Sequence, residues 1–539
     1  MLRDQLVGAL REALVALDVQ PLPDVINLER PGRREHGDWS SNVALASAKK
    51  AGRNPRELAQ SIADRLNNNL PPHVLKVDIA GGGFVNFHLA HTWLHDVLRD
   101  VIETGVADFG RHSFGEGRRV NVEFVSSNPT GPIHAGHARG AIFGDSLARL
   151  LTRCGYDVTR EFYLNDRGVQ MESFASSLLA RKRNEEVPEG GYAGTYIKLW
   201  AAEMPDGVDP LEWGYARALR DQREVLEAAR IKFDVWSSER DLVAAGAVED
   251  ALAELRERGR EQGLVFEDDG AVWLRSTAFG DDKDRVVVKS DGEYTYFAPD
   301  IAYHRDKFRR GFALLIDIWG ADHHGYVPRM KAAMQTLGHD PTELEVLITQ
   351  LVKLTSNGVE VKISKRTGDL VEMRDVIDEI GTDATRFTYL LQSVATQQTF
   401  DLELAKSQSM DNPVFYVQMA HARACNITRF AAERGATRGQ LADADPSLLV
   451  HDRELDILRS LSEFAETVAS ACNDRAPHRI TAWLRELAAA FHGFYHDCYV
   501  VGDGVAPELT HARLWLTEAA RIGLSAGLDV IGVAAPEAM

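Results

Sequence analysis

Residues 120–155 read VNVEFVSSNPTGPIHAGHARGAIFGDSLARLLTRCG and hold the pattern that decides the fold. Apolar residues alternate with polar ones from Val120 to Phe124, which predicts a strand with one buried face. Turn-forming residues follow, and from about Gly136 apolar residues recur at helical spacing until Gly155. Strand, tight loop and helix in this order form the first half of a nucleotide-binding βα unit, in which the helix N-terminus faces phosphates.

Two histidines, His134 and His137, flank Gly136 at the predicted start of this helix. A His-x-Gly-His tetrad alone is a weak signal, because a capped or solvent-facing histidine is the ordinary alternative. Its position after a strand and a Pro–Gly turn favours a binding site, since imidazoles and free backbone N–H groups would point together at an anion. Gly136 would let a purine or a phosphate approach the backbone closely.

The same strand–loop–helix order returns later in the chain. Residues 158–164 form a second predicted strand, which completes a parallel βαβ unit. Leu314 to Trp319 predict an apolar strand, followed by the loop GADHHG and a helix from Pro328 to Leu337. Because loops at the carboxyl ends of parallel strands meet at one edge of the sheet, we expect the two histidine-containing loops to face one crevice.

A hairpin with a basic exit follows. Val346 to Leu354 predict a strand, and Asn357-Gly358 is a strong two-residue hairpin signal. The returning strand leads into KISKRTG at residues 362–368. A basic loop that can swing would neutralise the charge that develops on a triphosphate leaving group, although a lysine-rich loop taken alone is usually just solvated.

These patterns predict an α/β fold: a Rossmann-like core with a parallel sheet, an appended N-terminal α/β domain and a C-terminal all-helical domain. We place the domains at residues 1–108, 109–400 and 401–539, with a helical insertion at about 181–284 that holds a small strand pair near 264–274. The aromatic residues at helical spacing in the last domain favour a bundle core over a base-stacking surface.

Composition and charge narrow the class of protein. The 539 residues carry a net charge of −19, which argues against a general nucleic-acid coat but leaves room for one RNA bound at local arginine patches. The arginine candidates for such contacts are Arg33, Arg34, Arg423, Arg429, Arg434 and Arg438. For the first two, beside Trp39, a solvated loop is an equal alternative.

The chain shows no apolar run of membrane-spanning length, and its N-terminal helix carries both charge signs. The four cysteines, at positions 154, 425, 472 and 498, fit no C-x-x-C pattern. We therefore expect a reduced cytoplasmic enzyme without a structural zinc ion or any other resident metal.

Several stretches resemble one family. SSNPTGPIHAGHARG, with its core from Ser127 to His137, resembles the HIGH-type signature of class I aminoacyl-tRNA synthetases, in the form found in bacterial arginyl-tRNA synthetases. KISKRTG resembles their KMSKS-type loop, with Ile363 and Arg366 replacing methionine and the final serine. The stretches HGDWSSNVAL, GGGFVNFHL, WGADHHGY and NPVFYVQMAHARACNI are similar to the family in the same order, while Asp369 departs from the asparagine that it often has.

This resemblance implies an arginine–tRNA ligase, which forms arginyl-adenylate and pyrophosphate from arginine and ATP and then charges arginine tRNA. ATP enters as a substrate with Mg²⁺, and we expect a monomer. The resemblance assigns catalysis to His134, His137, Lys362 and Lys365. It assigns ATP binding to His134, Gly136, His137, Gly320, Asp322 and Lys365.

The resemblance assigns arginine binding to Glu123, Asn128, Tyr296, Asp300 and His324. For Asp300 the chemistry agrees, because a carboxylate matches the guanidinium fork with two hydrogen bonds, whereas lysine offers only a point charge. The ordinary alternatives are a strand-end tyrosine at Tyr296 and a helix N-cap at Asp300. Which of Asp322, His323 and His324 touches arginine or ribose stays open.

Three other functions remain to be distinguished. A class I synthetase for glutamate or cysteine is the nearest, although Asp300 disfavours glutamate and the lack of a Cys/His cluster disfavours a zinc-dependent cysteine enzyme. A small-metabolite nucleotidyltransferase would leave the two outer domains without a purpose. A non-catalytic tRNA-binding paralogue would have no need of His134, His137 and Lys365.

Overall fold

The computed structural model describes residues 2–362 and 370–539, and for Arg34 it describes the backbone alone. The chain divides into two compact units. The first comprises Met1–Thr104, Phe430–Ser462 and Phe494–Ala519. The second comprises Gly105–Arg429, Glu463–Gly493 and Ala520–Met539, and it contains the candidate site.

The first unit is built at its N-terminal end around a small antiparallel sheet. The elements here are α1 (Leu2–Ala16), β1 (Trp39–Ser41), α2 (Val43–Ala48), α3 (Pro55–Asn68), β2 (Val74–Ala80), β3 (Phe84–Leu89) and α4 (Thr92–Asp108). The strand order is β1-β3-β2. The N-cap side chain of Asn54 accepts hydrogen bonds from two backbone N–H groups of α3, which satisfies donors that the helix leaves unpaired. The helical run of α4 is interrupted at Gly105, where φ is 68°.

The second unit contains the nucleotide-binding fold. Its elements up to the hairpin are β4 (Arg119–Glu123), α5 (Ala135–Arg153), β5 (Asp157–Leu164), α6 (Val169–Lys182), α7 (Thr195–Glu203), α8 (Pro210–Ala228), β6 (Val235–Ser238), α9 (Glu239–Ala244), α10 (Ala247–Glu261), β7 (Val265–Asp268), β8 (Ala271–Leu274), β9 (Arg285–Val288), α11 (Phe297–Arg309), β10 (Leu314–Gly320), α12 (Val327–Thr336) and β11 (Leu344–Thr349). Five of these strands form a parallel sheet in the order β11-β10-β4-β5-β6. The predicted Rossmann-like class is confirmed.

The remaining elements belong to the hairpin and the helical end of the chain. They are β12 (Val352–Ser356), β13 (Val359–Glu360), α13 (Met373–Ile380), α14 (Thr382–Tyr389), β14 (Gln398–Asp401), α15 (Leu402–Lys406), α16 (Pro413–Glu433), α17 (Asp452–Ser462), α18 (Phe464–Asn473), α19 (His478–Asp497) and α20 (Pro507–Val530). Among the residues described, no helix combines the length and the apolar character needed to cross a membrane.

The burial of β4 differs from the expectation of one buried face. Asn121 is fully buried, as are Val120 and Val122 on the other face. The reason is the central position of β4, since a strand between two parallel neighbours is covered by helices on both sides. The polar Asn121 is accommodated because its amide donates a hydrogen bond to Glu161 Oε2 at 2.6 Å.

Two further segments differ from the sequence-based expectation. The single strand expected at residues 346–354 is two strands, because β11 ends at Thr349 and β12 starts at Val352 in a different, three-stranded sheet. The stretch at about 181–284 was expected to hold helices and one small strand pair. It also contains β6, which pairs with β5 and so belongs to the core sheet. Four residues are too few for period-2 alternation to reveal this strand.

The helices that follow β5 have a core of their own. Met171, Phe174 and Leu178 of α6 pack with Ile197 and Trp200 of α7. α8 also packs here, and this group of helices lies next to the loop that follows β4. The expected strand pair near residues 264–274 is confirmed as the antiparallel strands β7 and β8.

Candidate active site

The candidate site lies where β4 and β10 end and their loops begin. Glu123 and Asp317 are directly paired across these two parallel strands, and both side chains are buried. Two carboxylates so close would repel each other strongly in a dry environment. The strand ends therefore require a cation between them.

Lys307 of α11 supplies that cation. Its side chain is 0% exposed, and its Nζ lies 2.5 Å from Glu123 Oε2 and 2.9 Å from Asp317 Oδ1. Burial alone would lower the pKa of Lys307, but the two carboxylates raise it well above its usual range. Glu123, His304 and Asp317 lie close enough together to form a metal-ligand group, but in this structure the ammonium of Lys307 contacts both carboxylates.

His304 continues the network towards Asp300. Its Nε2 lies 2.7 Å from Asp317 Oδ2, and its Nδ1 lies 2.7 Å from the backbone carbonyl oxygen of Asp300. Both partners accept, so both ring nitrogens donate, and the ring is an imidazolium. Burial opposes this charge, but the Asp317 carboxylate raises the pKa of His304 overall.

The Asp300 carboxylate is left without a cation. Its Oδ2 accepts a hydrogen bond from the Tyr326 hydroxyl at 2.5 Å, and no Lys, Arg or His nitrogen of the described residues lies within ion-pair distance of it. Burial raises the pKa of Asp300 to about 6, with the Tyr326 hydroxyl and His304 opposing the rise and Glu123 adding to it. The half-buried Asp300 therefore provides an acceptor that a cationic ligand would complete.

Asp300 lies inside the first turn of α11 and does not cap it. The helix begins at Phe297, and Tyr296 occupies the N-cap position without a side-chain cap hydrogen bond. The Tyr296 side chain is 90% exposed. The structure thus places Asp300 in the cleft and leaves Tyr296 open to solvent.

The loop after β4 carries the signature from Ser127 to His137. Gln222 of α8 donates hydrogen bonds to the carbonyl oxygens of Asn128 and Gly131, both at 3.0 Å. The Tyr196 hydroxyl donates to the Thr130 carbonyl oxygen at 3.0 Å. The helices after β5 therefore hold this loop from one side, and the Asn128 side chain remains half-buried with its amide on Gln170 Oε1.

His134 is the N-cap of α5, in extended conformation and without a side-chain cap hydrogen bond. The ring centroids of His134 and His137 are 6.2 Å apart. Both rings are exposed, as is Gly136, beside which a Cβ atom would meet nothing within 4 Å. The start of α5 thus presents two imidazoles and an exposed glycine between which an anion can bind.

The surrounding protein favours neutral imidazoles here. Desolvation lowers the pKa of His134 and that of His137, and His134 lowers the pKa of His137 further. The Asp322 carboxylate opposes this lowering of the His137 pKa. The loops after β4 and β10 follow the ends of two paired parallel strands. This brings together two parts of the chain that the sequence predicted to share one crevice.

The loop after β10 forms a 3₁₀ turn over Ala321–Tyr326. Asp322, His323 and His324 are exposed on it, and Gly320 before it is half-buried. A Cβ atom at Gly320 would come within 2.7 Å of Asp322 Oδ1, so glycine lets the aspartate fold back over the strand end. Two of the predicted ligand residues, Asp322 and His324, therefore lie on one exposed turn together with His323.

The lysines of the second signature are only partly described. Lys362 is exposed and forms an ion pair with Glu360 at 3.3 Å. Lys365 lies outside the described residues, and so does the rest of residues 363–369. The second strand of the hairpin was expected to run from Val359 to Ile363. In the described part of the chain it is β13, Val359–Glu360.

Comparison with known proteins identifies the family. Three protein families match successive parts of the chain. The family described as "Arginyl tRNA synthetase N terminal domain" matches residues 2–89, and "tRNA synthetases class I (R), catalytic domain" matches residues 104–190 and 215–423. The family "DALR anticodon binding domain" matches residues 417–539. The arginine–tRNA ligase of Listeria monocytogenes is 46% identical over 563 residues, covering 99% of this chain and 98% of its own length. The chain belongs to the arginyl-tRNA synthetases.

Other relatives agree with this membership. The arginine–tRNA ligase of Bacillus subtilis is 45% identical to this synthetase. The match covers 100% of this chain and 98% of the Bacillus subtilis enzyme. The solved arginyl-tRNA synthetase of Thermus thermophilus shares the fold, with a TM-score of 0.77 over the full length of both chains at 24% identity. The N-terminal unit, the class I core and the helical end are thus arranged along the chain as in that family.

The arginines proposed for tRNA lie in different surroundings. Arg33 of the synthetase is 77% exposed, with Nη1 3.3 Å from Glu35 Oε1, whereas the Arg34 side chain lies outside the described part of the structure. Arg434 stacks its guanidinium on Phe430 at 3.6 Å, and Arg438 pairs with Glu518 at 2.6 Å. Of these, Arg33 presents the most open guanidinium.

Arg423 and Arg429 are more engaged. Arg423 Nη1 donates to His492 Nδ1 at 2.9 Å, and Arg429 Nη2 donates to the backbone carbonyl oxygen of Glu537 at 3.0 Å. Arg429 remains exposed on its outer side. A contact with tRNA would have to be added to these internal hydrogen bonds.

Sequence reasoning missed most of the residues that support the cleft. Asp317 interrupts an otherwise apolar strand, and His304 and Lys307 follow Asp300 at spacings of four and seven, which puts all three on one helix face. A buried-strand aspartate and that helical spacing were the available signals. Glu239 had none: it lies near Asp300, and burial followed by the charge of Asp300 raises its pKa even though Tyr163 opposes the rise.

Proposed function

We propose that this cleft is the active site of the arginine–tRNA ligase reaction. The enzyme activates L-arginine with ATP to form arginyl-adenylate and pyrophosphate, and it transfers arginine to the 3′-terminal ribose of arginine tRNA. The observation that carries the site assignment is the balance of charge. Lys307 and His304 neutralise Glu123 and Asp317, so in the described part of the chain Asp300 is the carboxylate of this cleft that still lacks a cation.

The guanidinium of arginine supplies that cation. It can donate two parallel hydrogen bonds to a carboxylate, and an acceptor left unpaired in this half-buried position would penalise any amino acid without such a fork. Glu239 adds a second negative group near Asp300. Glu123 and Asn128 would receive the α-amino and carboxylate end, with His324 at the mouth. Tyr296 would take part if bound arginine covers its exposed ring.

ATP would bind across the start of α5. His134 and His137 would donate hydrogen bonds to the α-phosphate as charge develops in the transition state, and Gly136 leaves room for the purine or ribose. Gly320 and Asp322 would line the ribose side. Lys362 and Lys365 would neutralise the departing pyrophosphate, and Mg²⁺ would enter as part of the ATP complex. Positioning and charge stabilisation suffice for this reaction, so no protein nucleophile is required.

The outer parts of the chain would bind tRNA. We propose residues 1–108 as an appended tRNA-contacting domain, 109–400 as the catalytic domain with the insertion at about 181–284, and 401–539 as the anticodon-binding domain. Arg33, Arg34, Arg423 and Arg429 are the proposed contacts. A cytoplasmic monomer is the form in which we expect the enzyme to act.

The site assignment is tested by Asp300→Asn. The amide keeps the size and the hydrogen bond from Tyr326 but cannot form an ion pair, so the KM for arginine should rise about 10- to 100-fold while the KM for ATP stays within about threefold. The matched control is Asp306→Asn on the same helix, where the carboxylate is already paired with Arg310. An unchanged KM for arginine in a folded Asp300→Asn enzyme would remove Asp300 from the site.

A further inference from the structure

Arg139 lies on α5 two residues after His137 and is 2% exposed. Its Nη1 donates hydrogen bonds to the carbonyl oxygens of Gln350 at 3.1 Å and Thr396 at 2.6 Å, and its Nη2 donates to the Ser393 carbonyl oxygen at 2.8 Å. No carboxylate among residues 2–362 and 370–539 lies within ion-pair distance of this guanidinium. It is a buried charge held by three backbone dipoles.

One of the three carbonyls belongs to the junction between the core sheet and the hairpin, and the other two belong to residues 393–396. Gln350 and Leu351 connect β11 of the core sheet to β12 of the hairpin that leads to Lys362. The Gln350 backbone N–H donates to the Val394 carbonyl oxygen at 2.9 Å, so the segment around residues 393–396 and the junction are held together. Arg139 joins both to the first turn of α5.

Other contacts fix the same turn of α5 on its remaining sides. The Tyr389 hydroxyl donates to the Ala135 carbonyl oxygen at 3.1 Å. His134 forms an isolated antiparallel bridge with Glu372, and the Ala135 N–H donates to the Val371 carbonyl oxygen at 2.9 Å. Together with the contact of Arg139 to Gln350, these hydrogen bonds connect the start of α5 to the chain both before and after residues 363–369.

We propose that Arg139 is a positioning residue that sets the register between the histidine pair of α5 and the root of the hairpin bearing Lys362. This inference rests on the proposed roles of His134, His137 and Lys362. A buried guanidinium without a carboxylate is costly, and an apolar side chain would fill the space at lower cost. What the guanidinium supplies is directional contact with two separate segments, the junction at Gln350 and residues 393–396. This contact fixes the groups that act on the α-phosphate relative to the hairpin that carries Lys362.

Arg153 offers a matched control on the same helix. It is also buried, and its Nη2 donates to the backbone carbonyl oxygens of Val106, at 3.1 Å, and of Phe109. Unlike Arg139, it also has a carboxylate within reach, since its Nη1 lies 3.7 Å from Asp529 Oδ2. It lies near the other end of α5, four turns from the histidines. A purely structural role would therefore affect Arg139 and Arg153 variants alike.

The experiment compares Arg139→Gln and Arg139→Lys with Arg153→Gln and Arg153→Lys in the full-length enzyme. ATP–pyrophosphate exchange with arginine and arginine tRNA gives kcat and both KM values, and thermal melting gives the loss of stability. We expect Arg139→Gln to lower kcat about 10- to 100-fold with the KM for arginine within about threefold, and Arg139→Lys to restore part of the rate. The Arg153 variants should melt earlier and keep kcat.

Hydrogen–deuterium exchange supplies a second readout that needs no catalysis. Peptides covering residues 350–356 should exchange faster in both Arg139 variants, and no faster in the Arg153 variants, than in the unsubstituted enzyme. Arg139→Lys keeps this readout available if Arg139→Gln does not fold. Equal kcat losses in the two series at equal loss of stability, or unchanged exchange at residues 350–356, would overturn the proposal.

The two proposals fail in different ways. His137→Asn tests the assigned site directly, and full exchange activity in that variant would refute the role of the histidine pair. The hydrogen–deuterium exchange of residues 350–356 does not depend on that role. If these residues exchange equally in the Arg139 and Arg153 variants, the positioning role of Arg139 is refuted and the assigned site is unaffected.

Discussion

At the scale of single residues, the cleft works by leaving one charge unbalanced. Glu123 and Asp317 share Lys307, and Asp317 also holds His304 as an imidazolium. This arrangement keeps four ionised groups in a buried place at little net charge. Within residues 2–362 and 370–539, the hydrogen bond that Asp300 accepts through its carboxylate comes from the neutral Tyr326 hydroxyl, and we propose that substrate arginine supplies the missing cation.

The raised pKa of Asp300 predicts how arginine binding depends on pH. The pKa is about 6, and a guanidinium binds the ionised form. Binding should therefore be near full strength above pH 7 and weaken as the pH falls through 6, by about tenfold between pH 7 and pH 5. Titration calorimetry with free L-arginine at several pH values measures this.

The groups that face Asp300 enter the same experiment. Tyr326 and His304 stabilise the charged form of Asp300, and Glu123 disfavours it. The pH dependence caused by Asp300 must therefore be distinguished from that caused by these three neighbours. Asp300→Asn serves as the control, because its residual affinity should not change with pH in this range. An affinity of the unsubstituted enzyme that is flat from pH 5 to pH 8 would contradict the assignment.

At the scale of elements, the sequence predicted what repeats and missed what is short or split. The strand, loop and helix around residues 120–155 were predictable because hydrophobic period and turn chemistry agree along a long stretch. β6 has four residues, too few for a period to show. β11 and β12 read as one apolar strand, because a change of sheet at Gln350 and Leu351 leaves no mark in hydrophobicity.

The end of α20 carries a prediction about stability. Gly532, at φ +66°, ends this helix directly against the guanidinium of Arg386. That guanidinium is fully buried, with Nε donating to the Ile531 carbonyl oxygen at 3.0 Å and Nη2 paired with Asp145 of α5 at 2.6 Å. Gly532→Ala adds a Cβ in a left-handed conformation and displaces the buried ion pair, so the melting temperature should fall by the equivalent of about 2 to 4 kcal/mol.

Gly246→Ala is the control for this substitution. Gly246 is the N-cap of α10 in the same unit, also in a left-handed conformation, but a Cβ there meets nothing within 4 Å. It should cost about 1 kcal/mol from the backbone conformation alone. Differential scanning calorimetry of both variants separates the two terms, and equal shifts in melting temperature would show that the contact with Arg386 adds nothing.

At the scale of the whole molecule, the order of motifs along the chain was enough to predict the family, but not how the site is supported. Signature residues lie within short stretches that are recognisable one by one. The pairs that support them join distant positions, as Glu123 with Lys307 or Arg139 with Thr396. Such pairs form because strands and helices pack against each other, and a single sequence does not show which distant residues this packing brings together.

ATP–pyrophosphate exchange with each amino acid, with and without total tRNA, is the most direct test of whether this cleft activates arginine. We predict exchange with arginine and with no other amino acid, and a loss of that exchange in His137→Asn. The assay without tRNA shows whether activation depends on tRNA. Exchange with another amino acid, or none with arginine in a folded enzyme supplied with tRNA, would contradict the assignment of this cleft to arginine activation.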